Sequence, residues 1–433
     1  MKLFGTMKES SMGHLEIGHC DSVELAKEYG TPLYIIDEEL VRKNCRMFKE
    51  NFKSDYVETE VIYASKAFLN LAICKLMEEE GLSLDVVSGG ELYTALKSSF
   101  PTEKIYMHGN NKTEDELRLA ISSNIGRIIV DNRYELEIIE CLCEELDKSV
   151  DVLLRVNPGV EAHTHEYIQT SKNDSKFGES IFSGDIYEII NKFMTSKRVR
   201  LQGFHCHIGS QIFQETSFYM SVSVMIDFIN RIKVKCDFIT RELNMGGGFG
   251  VYYCEGDSPI DLKKFLQNMS NVVKEECESN NLIIPKIMIE PGRSIIANAG
   301  TTLYKVGGTK KTYGGKNYIF VDGGMTDNIR TALYDAKYEA VVANKINKEE
   351  SIEYTIAGKC CESGDIIVKD IILPEVKRDD ILAVLSTGAY NYTMASNYNR
   401  IPRPAVVFVK DGIAKVAVKR ESYEDILKND VSF

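Results

Sequence analysis

Eight short runs of β-favouring residues recur between positions 61 and 289, and helical patterns separate most of them. The runs are Val61–Ala64, Leu82–Val87, Lys104–Met107, Arg127–Val130, Val152–Val156, Leu201–His207, Glu242–Asn244 and Lys286–Ile289. Over Thr113–Ser122, Tyr134–Leu146, Ser217–Ile232 and Asp261–Glu278 apolar residues return every three or four positions, as on one face of a helix. Strands linked through helices pair in parallel, and eight is the number that closes a (β/α)8 TIM-type barrel. An open doubly wound sheet is the alternative.

Polar residues favour the barrel. Just past the C-terminal ends of the runs stand Lys66, Asp85, His108, Asp131, Arg155, His207, Gly246–Gly248 and Glu290–Arg293. Barrel enzymes assemble their sites at that face from several strands, and random scatter would not choose one end. After about residue 303 the texture changes to strands joined by Gly, Asn and Asp turns: Tyr318–Val321, Tyr354–Ala357, Ile366–Val368, Ile381–Val384, Ala405–Val409 and Ile413–Val418. This predicts a second, mainly antiparallel β domain, with the early strand Pro32–Ile36 pairing into it. The expected division is 1–38 as a segment contributing to the β domain, 39–303 as the barrel and 304–433 as the β domain.

A net charge of −12 argues against nucleic acid or an anionic membrane surface as a partner. No apolar run approaches a membrane span, and Met1–Gly18 lacks the apolar centre of a signal peptide, so a cytoplasmic protein is expected. Eleven cysteines, an odd number without zinc spacing, point to reduced thiols. The pairs His163/His165 and His205/His207 lack a third ligand at a helpful spacing, and no metal is expected.

Several stretches carry chemistry. Val61–Phe68 ends a strand in Lys66, with Leu69, Ala72, Ile73, Leu76 and Met77 opening a helix; burial at such a place favours an amine's neutral, nucleophilic form. Gly246–Gly247–Gly248 lets the backbone approach an anion, or is a flexible turn. Glu290–Pro291–Gly292–Arg293 sets a carboxylate and a guanidinium on one tight turn, as a heterocycle and carboxylate grip or a local ion pair. His207 and Ser210 suit a ring face and a phosphate, or a satisfied barrel rim. Cys360–Cys361–Glu362–Ser363–Gly364–Asp365 sets thiols beside carboxylates, as a proton donor or a structural turn.

Together, Y-A-x-K-A at Lys66, H-x-H-I-G-S, G-G-G-F-G, E-P-G-R, C-E-S-G-D and the late G-A-Y-N-Y-T-M-A-S-N-Y-N-R resemble the fold type III pyridoxal-phosphate decarboxylases, in order from about Thr31 to Val407. The resemblance implies a barrel plus a β domain, with pyridoxal 5'-phosphate as a Schiff base on Lys66. His207 would stack on its ring and Glu290 would hold its ring nitrogen. Ser210, Gly246, Gly247 and Gly248 would meet the phosphate, with Asp85, Arg155, Gly292, Arg293 and Tyr390 also near the cofactor. Arg293, Arg330, Tyr334, Glu362 and Tyr390 would bind an amino-acid substrate, and Cys361, the second of the doublet, would be the proton donor. A homodimer with shared sites is implied too.

Arg293 and Arg330 suit a carboxylate at the far end of the substrate, and Glu362 suits a far ammonium. That favours the branch turning meso-diaminopimelate into L-lysine and CO2. Thr164–Thr170 and Asp174–Gly178 also look like that branch. A sister decarboxylase of ornithine, arginine, lysine or carboxynorspermidine, a barrel racemase and a non-catalytic homologue are the competing readings.

Overall fold

A computed structural model describes residues 2–160 and 175–433. The His163/His165 pair, Thr164–Thr170 and Asp174 lie outside the described residues. The chain forms two compact units: Met1–Asn44, Val251–Asp257 and Arg293–Phe433 make one, and Cys45–Gly250 with Ser258–Gly292 make the other.

The second unit is the barrel. Its strands are β1 (Thr59–Ala64), β2 (Ser83–Val86), β3 (Ile105–Met107), β4 (Arg127–Val130), β5 (Val150–Asn157), β6 (Val199–His205), β7 (Glu242–Asn244) and β8 (Lys286–Ile289). Each pairs in parallel with the next, and β8 pairs with β1 to close the ring. The open-sheet alternative is thereby excluded. Inside, Ile62, Tyr106, Ile129, Leu153 and Met288 form one buried cluster. Each such side chain contributes roughly 1.5–3 kcal/mol by leaving water.

Short polar residues start the helices that return the chain from one strand to the next. Asn70 Oδ1 accepts from the Ile73 amide at 2.9 Å and begins Leu71–Glu79, whose buried face is Ile73, Cys74, Leu76 and Met77. Ser88 and Asn132 cap Gly89–Lys97 and Arg133–Glu145, and Thr113 with Glu116 forms a reciprocal capping box on Glu114–Ser122. Because these caps directly follow strand exits, they set where each exit loop ends. A buried Lys112–Glu135 pair at 2.7 Å adds to this: Lys112 also donates to the carbonyls of Gly109 and Ile129, tying the β3 and β4 exits together.

The first unit is a β domain. Gly300–Lys311 is its long central strand, antiparallel to Asn317–Val321, Ile381–Leu385 and Leu33–Asp37. Leu33–Asp37 also runs parallel to Ala405–Lys410, so the early strand joins this sheet as expected. Sequence periodicity misses Gly300–Lys311 because its second half is mostly exposed and carries Gly307 and Gly308. Leu33, Ile35, Leu303, Ala383 and Val407 lie in its core. Among the described residues no helix is long and apolar enough to cross a membrane.

Candidate active site

At the C-terminal mouth of the barrel, a cavity of about 280 Å³ is lined by Lys66, Asp85, His108, Arg155, His207 and Glu290, with His205 and Phe177 among the others. The strand exits thus bring five of the expected residues together. Ala64 and the Glu290–Arg293 turn are stitched by a hydrogen bond from the Ala64 amide to the Pro291 carbonyl at 3.2 Å. A Cβ on Gly292 would lie 2.9 Å from that of Ala64, so glycine is what lets the turn pack on the end of β1.

Lys66 sits on the short turn Ser65–Ala67, whose flanking residues are buried. Glu91 fixes this turn by accepting from the Ser65 hydroxyl at 3.0 Å and the Val87 amide at 2.7 Å. Lys66 itself is exposed although it lines the cavity, which corrects the expectation of a buried amine.

Glu290 is the best-held group in the cavity. Its Oε1 accepts from Asn244 Nδ2 at 2.7 Å and lies 2.8 Å from His108 Nε2; its Oε2 is 3.3 Å from His205 Nε2. Burial pushes this carboxyl up, but the two imidazoles outweigh it and hold it well below the ordinary range. His205 is itself pushed down to about 3, chiefly by burial. Burial thus leaves His205 uncharged, while Glu290 is held as an anion against its own burial by the His108 and His205 rings that face it. Burial, opposed by His108, raises the Asp85 carboxyl to about 7. Burial, with the charges of Lys66 and Arg155, drives His207 far down, so its half-buried ring is neutral. Arg155 stacks over Phe177 at 4.4 Å.

Sequence reasoning did not place His108 or His205 in the site. His108 stood among the strand-exit groups and His205 in the His-x-His pair, but their meeting at Glu290 depends on strands far apart in the chain. His108, His205 and Glu290 offer ligand atoms within 4.8 Å of one another, a grouping that a metal ion can use. Both imidazoles face the carboxylate through Nε2, at 2.8 Å for His108 and 3.3 Å for His205.

The glycine loop is closely packed. A Cβ on Gly247 would lie 2.0 Å from the Glu290 carbonyl, and one on Gly248 2.3 Å from that of Gly209. Close backbone crossing demands glycine at these two positions. The Gly246 and Gly247 amides already donate to Asn244 Oδ1 at 2.9 Å and His207 Nδ1 at 3.3 Å. The loop carrying Ser210 packs beside it, through the Ile212 amide to the Gly248 carbonyl at 2.9 Å.

The cavity fits pyridoxal phosphate by its donor set. Asp85 Oδ1 and His205 Nδ1 are buried, line the cavity and have no hydrogen-bond partner among the described residues. An anionic carboxylate, a neutral imidazole face and a primary amine complete what a substituted pyridine aldehyde requires.

In the β domain, Arg293 and Arg330 are both buried. Arg293 Nη1 donates to the Tyr253 hydroxyl at 2.8 Å, and its guanidinium lies 4.7 Å from the Tyr390 ring. Tyr390 takes a left-handed backbone, φ +61°, rare for so large a residue. Arg330 Nη1 donates to Tyr338 at 2.5 Å, and burial of Arg330 is outweighed by Tyr253, Tyr338 and Tyr390, which raise its pKa further. Three residues before it, Asp327 is gripped by the Tyr304 hydroxyl and by the Gly324 amide, and its carbonyl accepts from Tyr34. Tyr334 is half-buried at the end of the helix Arg330–Tyr334.

Cys361 and Glu362 stand exposed on their turn. Asp365 holds that turn, accepting from the Cys360 amide at 2.7 Å and the Met325 amide at 2.6 Å. Cys360 is buried, which pushes its thiol up to about 11.

Residues 38–297 match the family model for the pyridoxal-dependent decarboxylase, pyridoxal binding domain. The diaminopimelate decarboxylase of Bacillus subtilis (strain 168) is 52% identical over 433 residues, covering 100% of this chain and 99% of the relative. The chain belongs to the diaminopimelate decarboxylase family. The diaminopimelate decarboxylase of Staphylococcus aureus (strain COL) is 45% identical over 98% of this chain and 99% of its own. A crystal structure of the M. jannaschii diaminopimelate decarboxylase in complex with L-lysine superposes with a TM-score of 0.92 at 34% identity, covering 99% of this chain and 98% of that one. Pyridoxal phosphate is the cofactor of diaminopimelate decarboxylases, in keeping with the cavity's donor set.

Proposed function

We propose that the chain decarboxylates meso-2,6-diaminopimelate to L-lysine and CO2. The observation that carries the substrate reading, within the family, is the pair of buried guanidiniums, Arg293 and Arg330, set among tyrosines. Bound pyridoxal phosphate supplies the electron sink for the Cα–carboxylate bond. Lys66 is the amine that would hold the cofactor at its aldehyde carbon. Glu290 would hold a proton on the ring nitrogen, and Asn244, His108 and His205 face its carboxylate and keep it anionic in a buried place. His207 would hold the ring face, and Ser210 with the glycine loop would hold the phosphate. Arg330 grips the distal carboxylate, Tyr334 and Tyr390 shape its surroundings, and Glu362 meets the distal ammonium. Cys361 delivers a proton to the carbon that has lost CO2.

The exposure of Cys361 and Glu362 supports a two-fold homodimer in which each chain lends this turn to its partner. The odd number of cysteines, without a disulfide framework, supports a reducing, cytoplasmic setting.

Arg330→Ala tests the substrate reading. A charge-assisted hydrogen bond contributes about 1.5–3 kcal/mol, so kcat/KM for meso-diaminopimelate should fall roughly 10- to 150-fold. L-lysine keeps the distal carboxylate and its inhibition should weaken likewise; cadaverine lacks it and should inhibit as before. Unchanged kinetics in the variant would remove Arg330 from substrate recognition.

A further inference from the structure

Tyr253 stands where neither arginine of the carboxylate site is complete without it. It is buried, accepts from Arg293 Nη1 at 2.8 Å, and lies under the Arg330 guanidinium, whose Cζ is 4.9 Å from its ring centroid. Its ring meets that of Tyr338 edge-on at 5.5 Å, and Tyr338 in turn accepts from Arg330 Nη1. One phenol is thus in contact with both guanidiniums, at its oxygen for one and at its face for the other. Its backbone is fixed independently: Asp257 Oδ2 accepts from the Tyr253 amide at 2.8 Å and the Cys254 amide at 3.1 Å.

Two like charges confined to one buried cluster repel, and long side chains lose rotamer freedom when they are held in place. A phenol between them offsets both costs, since its oxygen accepts a charge-assisted bond and its π face attracts a cation. The phenol responds to them in return: burial pushes its pKa up, and the two arginines overcome that and leave it below the ordinary value.

We propose that Tyr253 is a positioning residue that holds Arg293 and Arg330 together as one carboxylate receptor, and so sets the preference for substrates with a second carboxylate. This rests on the reading of Arg330 as the group that meets that carboxylate. Without the hydroxyl, Arg293 loses an acceptor and the two guanidiniums are free to part. The fold, the barrel cavity and the chemical step are left as they were.

The test is Tyr253→Phe in the cofactor-loaded enzyme, with Arg330→Ala in parallel. For Tyr253→Phe the KM for meso-diaminopimelate and the inhibition constant of L-lysine should each rise roughly tenfold, the loss of about one charge-assisted hydrogen bond. The kcat, the inhibition by cadaverine, the cofactor absorbance and the Tm should stay as in the wild type. A merely structural role would weaken lysine and cadaverine alike, or lower kcat and Tm, and would overturn the proposal; so would unchanged lysine inhibition. If Arg330→Ala discriminates lysine from cadaverine and Tyr253→Phe does not, the Tyr253 inference alone fails. If neither does, the reading of Arg330 fails with it. Should Tyr253→Phe not fold, Asp257→Ala releases the same backbone without entering the cluster, and the same selective loss of lysine affinity is expected of it; an equal loss for cadaverine would overturn the proposal.

Discussion

Lys66→Ala should fold normally and have no measurable decarboxylase activity. The side chain is exposed, so its removal leaves no cavity, and stability should stay within about 0.5 kcal/mol of the wild type. What disappears is an amine that lines the cavity holding Glu290 and whose turn is fixed through Ser65 and Glu91. The wild-type protein should be yellow when loaded, and borohydride should leave the cofactor's mass on the peptide containing Lys66. The variant should lose both the colour on dialysis and the labelled peptide. Labelling of a different lysine in the wild type would move the attachment site elsewhere.

Cys361→Ala should lower kcat by about 10²- to 10⁴-fold, the usual contribution of a positioned proton donor. Cys360→Ala should keep most of the activity, because that thiol is buried in the turn and pushed up to about 11, while Cys361 faces outward. If the thiol turn serves the neighbouring chain, two inactive variants should rescue each other. Mixing Lys66→Ala with Cys361→Ala and allowing subunit exchange places both defects in one site of a mixed dimer and leaves the other site intact. Roughly a quarter of wild-type activity should return, since half the dimers are mixed and each carries one intact site. Confirmed exchange without any return of activity would show that each chain builds its site alone.

The barrel was legible because its strands are β-favouring runs separated by helical patterns, with polar residues gathered just past the strand ends. Asn70, Ser88, Thr113 and Asn132 are written into the sequence at the strand exits and appear in the structure as caps. Gly300–Lys311 was not legible, because a half-exposed strand with two adjacent glycines shows no alternation, and its place in the sheet comes from partners such as Leu33–Asp37. In the site, Lys66, Asp85, Arg155, His207 and Glu290 could be read because strand ends converge in any barrel. His108 and His205 could not be ranked, since their role is to hold Glu290, and β3, β6 and β8 bring that trio together from across the ring. Tyr253 carried no signal either. It follows the glycine loop as one aromatic among several, and only the fold sets it between Arg293 and Arg330. The glycine loop was seen for a reason that accounts for only part of it: crossing chains at the Glu290 and Gly209 carbonyls demand glycine there, whatever anion the loop also faces.

The substrate is an amino acid carrying a second amino-acid group at its far end. The purified protein, loaded with pyridoxal phosphate, should be given meso-diaminopimelate, L-ornithine, L-arginine and L-lysine in separate reactions, with CO2 and products measured in each. Release of CO2 with an equal amount of L-lysine from meso-diaminopimelate, and little from the other three, is the predicted result. CO2 from ornithine, arginine or lysine with none from meso-diaminopimelate would contradict the account.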